Sequence, residues 1–237
     1  MSERKNKILL LGFGRYGEQI AKNLALEGYE IFIAEESKDA LKIASNDGFE
    51  NLFVIDIQSD QQLTELVLEY GFERVFCAFD EEEKNIYLTI TMKALFRNIE
   101  VIALCESKES ERKLLLAGAN KVIDTMVAAA NRLYFVLEKP AVAEAIDNIL
   151  YKDKSLIFKE VEVPVGSFLD GKNIKEINFS RDFRIIVIGI VDIELGRKFT
   201  FLTKGINHKI DAGDILVVIG KKWDIEKFEE ELKKVNQ

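Results

Sequence analysis

Lys7-Ile8-Leu9-Leu10-Leu11-Gly12-Phe13-Gly14-Arg15-Tyr16-Gly17 decides how the rest of the chain is read. An apolar run enters Gly-x-Gly-x-x-Gly, and Ile20, Ala21, Leu24 and Ala25 then recur at helical spacing. That order predicts strand, glycine turn, helix, with backbone N–H groups and the positive helix end placed to receive a phosphate. Gly12 would make the tight turn, Gly14 would let the backbone approach the phosphate, and Gly17 would let the helix pack on the strand. A glycine triplet alone is weak evidence, so the weight falls on the residues beyond Ala25.

Those residues alternate repeatedly between strand and helix patterns. Gly28 stops the first helix, and Tyr29–Ala34 reads as a second buried strand ending in Glu35-Glu36. Glu35 falls close to the spacing of roughly 20 residues expected for a ribose-binding acid. A carboxylate there accepts ribose hydroxyls and repels a 2′-phosphate, which favours NAD or an adenosine nucleotide over NADP; Glu36 reads as a surface acid. Leu52–Ile55, closed by Asp56, Val75–Phe79, followed by Asp80, Val101–Cys105 and Lys121–Ile123 read as four more strands, with apolar-periodic helices between. Six strands alternating with helices predict an α/β fold, a Rossmann-like doubly wound parallel sheet. The glycine loop, Glu35, Asp56 and Asp80 all fall at strand carboxyl ends, where such sheets bind ligands.

From Ala128 to Leu150 the pattern is helical twice over, with Ala129, Leu133, Val136 and Leu137 on one face. Val142, Ile146, Ile149 and Leu150 share another after Pro140, which breaks the helix. These faces are expected to pack on the domain's own sheet or on a second subunit. Near Tyr151–Ser155 the period changes to two: Lys159–Val163 alternates, Val165–Gly171 reads as turns, and Arg184–Ile193, Phe199–Leu202 and Ile215–Ile219 are β runs. Ile225, Phe228, Leu232 and Val235 close the chain on an amphipathic helix, giving a small α+β second domain. The expected boundaries are 6–127 for the nucleotide-binding domain, 128–152 for a helical crossover or hinge, and 153–237 for the second domain.

Composition narrows the function classes. The chain has 237 residues and a net charge of −8, which argues against a nucleic-acid partner. No apolar run is long enough to span a bilayer, nothing resembles a signal peptide, and Met1–Asn6 is a short polar lead-in. Cys77 and Cys105 lie in apolar runs and read as buried reduced thiols, so a cytoplasmic location is expected. The single histidine, His208 in Gly205-Ile-Asn-His-Lys209, reads as a solvated loop residue.

With both halves laid out, nearly the whole chain resembles the RCK (regulator of K+ conductance) family, in the style of the TrkA and KtrA subunits of potassium transporters. The resemblance rests on Gly12–Gly17, Glu35, Asp56-Ile57, Ala78-Phe-Asp-Glu-Glu-Glu-Lys-Asn85 and Leu116–Ile123. In the second domain it rests on Val165–Lys172 and Ile210–Gly220, which are similar to the TrkA-C signature. It implies a regulator instead of a catalyst: a nucleotide-sensing gating subunit of a membrane potassium channel or transporter, a homodimer within a larger ring (tetramer or octamer). It also implies that Gly12, Phe13, Gly14, Arg15, Tyr16, Gly17, Glu35, Asp56, Ile57, Ala78, Phe79 and Asp80 bind an adenine nucleotide, NAD(H) or ATP/ADP. In the ATP/ADP-binding branch an arginine at the position of Arg15 reaches the terminal phosphate, which suits a guanidinium fork.

The sequence also departs from the family pattern. Ile55 replaces a small residue before Asp56, and Asp124-Thr125-Met126 stands where the ATP-binding branch carries Pro-Glu, so no metal ligand is expected there. Asn178 matches a position that contacts cyclic di-AMP in some relatives, although Lys175 interrupts the adjacent apolar pair. Two alternatives accompany the subunit reading. One is the cytoplasmic tail of a channel with its membrane part encoded upstream, against which the Met1 start weighs. The other is an NAD-dependent oxidoreductase, for which no residue offers itself as proton donor.

Overall fold

The computed structural model describes residues 7–149, 155–193, 196, 198–202 and 208–234. Leu150, the change of period at Tyr151–Lys154, the turn residues Gly205–Asn207 and Val235 lie outside the described residues. The chain divides into two compact units, residues 1–134 and 135–237.

In the first unit, β1 (Lys7–Leu11), β2 (Glu30–Glu35), β3 (Asn51–Val54), β4 (Arg74–Cys77), β5 (Glu100–Cys105) and β6 (Lys121–Asp124) form one sheet. Its order is β3-β2-β1-β4-β5-β6, parallel throughout. The strands alternate with α1 (Arg15–Leu26), α2 (Lys38–Asn46), α3 (Asp60–Tyr70), α4 (Glu82–Leu95) and α5 (Lys108–Leu116). Because successive side chains of β1 point to opposite faces, Ile8 and Leu10 enter one core with Ala21 of α1 and Leu41 of α2. Leu9 and Leu11 enter the other, with Leu63 and Val67 of α3 and Leu88 and Met92 of α4. A strand buried on both faces must be apolar along its whole length, which is why Ile8–Leu11 carries no polar residue. The order reverses between β1 and β4, the topological switch point at which a doubly wound sheet opens a crevice.

β4 ends at Cys77, two residues before the apolar run does. Ala78 and Phe79 turn off the ladder: the Ala78 N–H still bonds the Leu11 carbonyl (2.8 Å), but the Phe79 N–H bonds the Asn85 side chain (2.9 Å). Beyond β6 come α6 (Thr125–Glu138) and α7 (Pro140–Asp147), with Pro140 at the first turn of α7, where its missing N–H costs nothing. No side chain of α6 is buried, and Leu133 and Leu137 are exposed. No helix among the described residues is long and apolar enough to cross a membrane.

The second unit is an antiparallel sheet of β7 (Leu156–Glu162), β8 (Ile186–Asp192), β9 (Lys198–Phe201) and β10 (Ile215–Lys221), in the order β7-β10-β8-β9. α8 (Phe179–Phe183) and α9 (Lys222–Leu232) supply Phe179, Ile225, Phe228 and Leu232 to its core. Segments 165–172 and 210–220 bind one another: Gly171 N–H to Ile210 O and Ile210 N–H to Lys172 O, both 2.8 Å. α8 was not visible as a period, being one turn and a half long. Asn178 is its N-cap, accepting the Arg181 N–H at 3.0 Å. Arg184 does not begin a strand; it ends α8 in the left-handed conformation, and β8 starts at Ile186.

Candidate functional site

The glycine loop turns between β1 and α1 against the end of β4. Gly12 has φ +100°, and a Cβ there would lie 2.6 Å from the Phe79 nitrogen. A Cβ on Gly14 would lie 2.6 Å from an Asp80 carboxylate oxygen. The close approach expected of Gly14 is therefore made to a carboxylate, which stands where a phosphate is favoured by the helix end. The Arg15 N–H points to Asp80 Oδ2 at 3.4 Å, and the Arg15 guanidinium pairs with Asp80 (3.5 Å) and Glu106 (3.7 Å). Arg15 is 72% exposed and lies over the Tyr16 ring, whose hydroxyl donates to Glu106 at 3.0 Å.

Glu35 is buried at the carboxyl end of β2. Its Oε2 accepts the Phe13 N–H (2.8 Å), and its Oε1 accepts the N–H groups of Glu36 (2.7 Å) and Ser37 (3.0 Å). The expected ribose acid thus also holds the glycine loop to the second strand. Phe13 is buried edge-on against Phe49, so it offers a ligand only backbone. Ala78, Phe79 and Ile57 are likewise buried. Asp56 is exposed and caps its own turn, accepting the Gln58 N–H at 2.9 Å. The structure brings the loop, Glu35, Phe79 and Asp80 to the switch point; Asp56 and Ile57 stand beyond β2, at the end of β3.

Three further contributors lie in the quoted Ala78–Asn85 segment but were given no role from sequence. Asn85, buried in the first turn of α4, accepts the Phe79 N–H and donates to the carbonyls of Phe79 (2.9 Å) and Leu104 (3.1 Å). Glu82 accepts the Glu106 N–H and the hydroxyls of Ser107 (3.0 Å) and Ser110, tying the end of β4 to the end of β5. Lys84 pairs with Glu36 (3.0 Å) and Glu81 (3.1 Å). In sequence all three lie in the Ala78–Asn85 segment, and its resemblance to the family pattern, which ends in Asn85, was the signal that could have found them.

Burial pushes the Glu82 carboxyl up, but the hydrogen bonds from Ser110, Glu106 and Ser107 outweigh it, and the net shift is downward from 4.5. A lowered folded-state value stabilises the fold above the unfolded-state value and ceases to do so as pH falls through the folded one. The stability gap between wild type and Glu82→Gln, read by urea unfolding, is therefore expected to be open at neutral pH and to close progressively below 4.5. A gap independent of pH would mean that Glu82 acts by shape alone.

His208 is not a solvated loop residue. Its ring, 18% exposed, lies between two buried acids, with Nε2 3.3 Å from Asp214 and Nδ1 3.8 Å from Asp192. Both acids belong to the second unit, and the Asp214 carboxylate also receives the N–H groups of Asp211 (3.0 Å) and Ile193 (3.3 Å). Cys77 is buried and its thiol is pushed up to about 12; burial, then the Asp124 charge, pushes Cys105 up to about 11. Neither is a thiolate at neutral pH, so neither is an activated nucleophile. Among the described residues no group of three His, Cys, Asp or Glu side chains is placed to hold a metal.

The recess at the switch point, between Tyr16, Phe79, Asp80, Asn85 and Leu104, measures about 10 Å³, room for no more than a water. A larger cavity of about 520 Å³ lies in the second unit between α8 and α9. The architecture of the first unit, a loop at a helix end with an acid on the neighbouring strand, is that of nucleotide-binding sheets.

Comparison with known proteins agrees. Residues 8–125 match the TrkA-N domain model and residues 158–233 the TrkA-C domain model. Ktr system potassium uptake protein C of Bacillus subtilis is 26% identical over 231 residues, covering 95% of this chain and 96% of that protein. Probable potassium channel protein 2 of Methanocaldococcus jannaschii is 22% identical over 205 residues, covering 80% of this chain. The chain spans 59% of that protein's length and 22% of the length of an uncharacterized Methanothermus fervidus relative. Among solved structures, the GsuK RCK domain is similar with a TM-score of 0.52 at 18% identity, covering 98% of this chain and 47% of its own. GsuK structures similar to this chain include one bound to NAD (TM-score 0.50, 18% identity, 98% of this chain and 39% of that one). Another is bound to ADP (TM-score 0.50, 20% identity, 59% and 35%). With a parallel glycine-loop domain joined to a small antiparallel one, and both domain models matched in that order, this chain belongs to the RCK family, a TrkA-N domain followed by a TrkA-C domain.

Proposed function

We propose that the chain is a nucleotide-sensing regulatory component of a membrane potassium channel or transporter, acting at the inner face of the membrane through that partner. The observation that carries the reading is the convergence of the Gly12–Gly17 loop, the Glu35 carboxylate and the end of β4 on the β1–β4 switch point. Gly12, Gly14 and Gly17 with the Arg15 and Tyr16 backbone would face the phosphates, and Glu35 the ribose; Ala78, Phe79, Asp56 and Ile57 line the same edge by backbone. The cofactor class is an adenine nucleotide, NAD(H) or ATP/ADP. The role is regulation and not turnover: the thiols are not activated, and the lone histidine is held between two acids of the second unit.

The exposed apolar residues of α6, Leu133 and Leu137 among them, support a homodimer within a larger ring. A nucleotide then shifts the ring between conformations by its differential affinity for them. The reading is the same whether the chain is a separate subunit or the cytoplasmic part of a longer channel protein. The test is thermal and urea stabilisation by NAD+, NADH, ATP, ADP and AMP. A ligand at 100 times its dissociation constant adds about 2.7 kcal/mol. Absence of stabilisation by every nucleotide would refute the reading.

A further inference from the structure

Beside the glycine loop, charge is unevenly distributed. Among the described residues the basic side chains at this edge are already held by carboxylates: Arg15 by Asp80 and Glu106, Lys84 by Glu36 and Glu81, and Lys113, farther out beside Glu82, by Glu109. Glu82, held ionised by its hydrogen bonds, stands beside them. Acids thus outnumber bases around the switch point, and more so on the β4–β5 side than at Glu35. Asp80 is the centre of this group. Its Oδ2 faces the Arg15 N–H, while its Oδ1 is buried against Gly14 without a hydrogen-bond partner. The Asp80 side chain is 34% exposed, and a carboxylate at this edge favours a ligand that brings a donor or a positive charge and disfavours one that brings only acceptors.

A nucleotide laid across the crevice has its ribose acid on the β2 side, so whatever extends beyond the first phosphates runs toward β4 and β5. In ATP that extension is further phosphate, which at neutral pH offers acceptors and negative charge. In oxidised nicotinamide dinucleotide it is ribose hydroxyls, a carboxamide N–H donor and a cationic ring. We infer that Asp80 is a specificity-determining residue: through its carboxylate the site selects NAD+ over ATP and ADP. The inference rests on the nucleotide reading above and goes further, because the glycine loop by itself accepts either ligand. It also revises what Arg15 does. For the guanidinium to reach a terminal phosphate it must leave both Asp80 and Glu106, and the two acids it leaves then face that phosphate.

Isothermal titration of NAD+, ATP and ADP into the full chain, in metal-free buffer, tests this with Asp80→Asn and Glu106→Gln. Wild type is expected to bind NAD+ at least about tenfold more tightly than ATP, and Asp80→Asn to narrow that ratio by about tenfold by tightening ATP. Glu106→Gln, farther out on the edge, should narrow it less. Circular dichroism checks that both variants are folded; were Asp80→Asn unfolded, Glu106→Gln would carry the test, with an unchanged ratio counting against the inference. Wild-type binding of ATP as tight as NAD+, or a ratio unchanged in Asp80→Asn, overturns the inference and leaves the nucleotide reading standing. Binding of no nucleotide by wild type removes the nucleotide reading and the inference together.

Discussion

Gly12→Ala is expected to destabilise the first unit by about 3 kcal/mol and to abolish nucleotide binding with it. Two effects add. The left-handed backbone at φ +100° disfavours any side chain by about 1–2 kcal/mol. The new Cβ would also stand 2.6 Å from the Phe79 nitrogen and 2.9 Å from the Ala78 carbonyl carbon. Those are backbone atoms, held by the Leu11 and Asn85 hydrogen bonds, and they cannot swing aside as a side-chain tip would. Gly28→Ala is the internal comparison: Gly28 has φ +85° with nothing near its Cβ position, so it should lose only the conformational part, about 1 kcal/mol. Urea unfolding followed by far-ultraviolet circular dichroism separates the two. Equal losses at both positions would show that the β4 end yields, and that Gly12 is required for its backbone angle alone.

Asn85→Ala should cost about as much, roughly 3 kcal/mol, by a different route. The alanine leaves the Phe79 N–H and the carbonyls of Phe79 and Leu104 without their side-chain partner in a buried layer. Asn85→Asp sharpens the test. It keeps an acceptor for the Phe79 N–H but turns a carboxylate toward two carbonyl oxygens, so it is expected to be no better tolerated than alanine. A loss below about 1 kcal/mol for Asn85→Ala would mean that water replaces the amide at little cost.

The sheet was readable in the sequence because a parallel strand between two helical layers must be apolar from end to end, as Ile8–Leu11 and Val101–Cys105 are. Pro140 announced the break between α6 and α7 for an equally local reason. The same rule hid the end of β4: Ala78 and Phe79 are as apolar as Val75–Cys77, and it is the side-chain bond from Asn85, six residues on, that takes the Phe79 N–H off the ladder. α8 escaped because a helix of five residues has no period to read. The candidate site was legible in its glycines and in Glu35, which are tied to consecutive elements. It was not legible in Glu82, Lys84 and Glu106, whose partners are chosen by strand order and not by spacing. His208 was misjudged for the same reason: its polar neighbours in sequence suggested solvent, while Asp192, from the end of β8, closes over it in space.

The order β3-β2-β1-β4-β5-β6 has a kinetic side as well. Within each half-sheet, every strand pairs with the next one along the chain, so both halves assemble from neighbouring segments. Their one junction, Leu9 with Val75 through Leu11 with Cys77, joins strands separated by all of β2, β3 and the three helices around them. Closing that seam carries the largest loop-closure entropy among the strand pairings of the unit and is expected to be its slow folding step. The glycine loop lies at the open end of this same seam. A nucleotide seated there grips both halves at their slowest joint, so occupancy would lengthen the lifetime of the folded first unit as well as shift its shape.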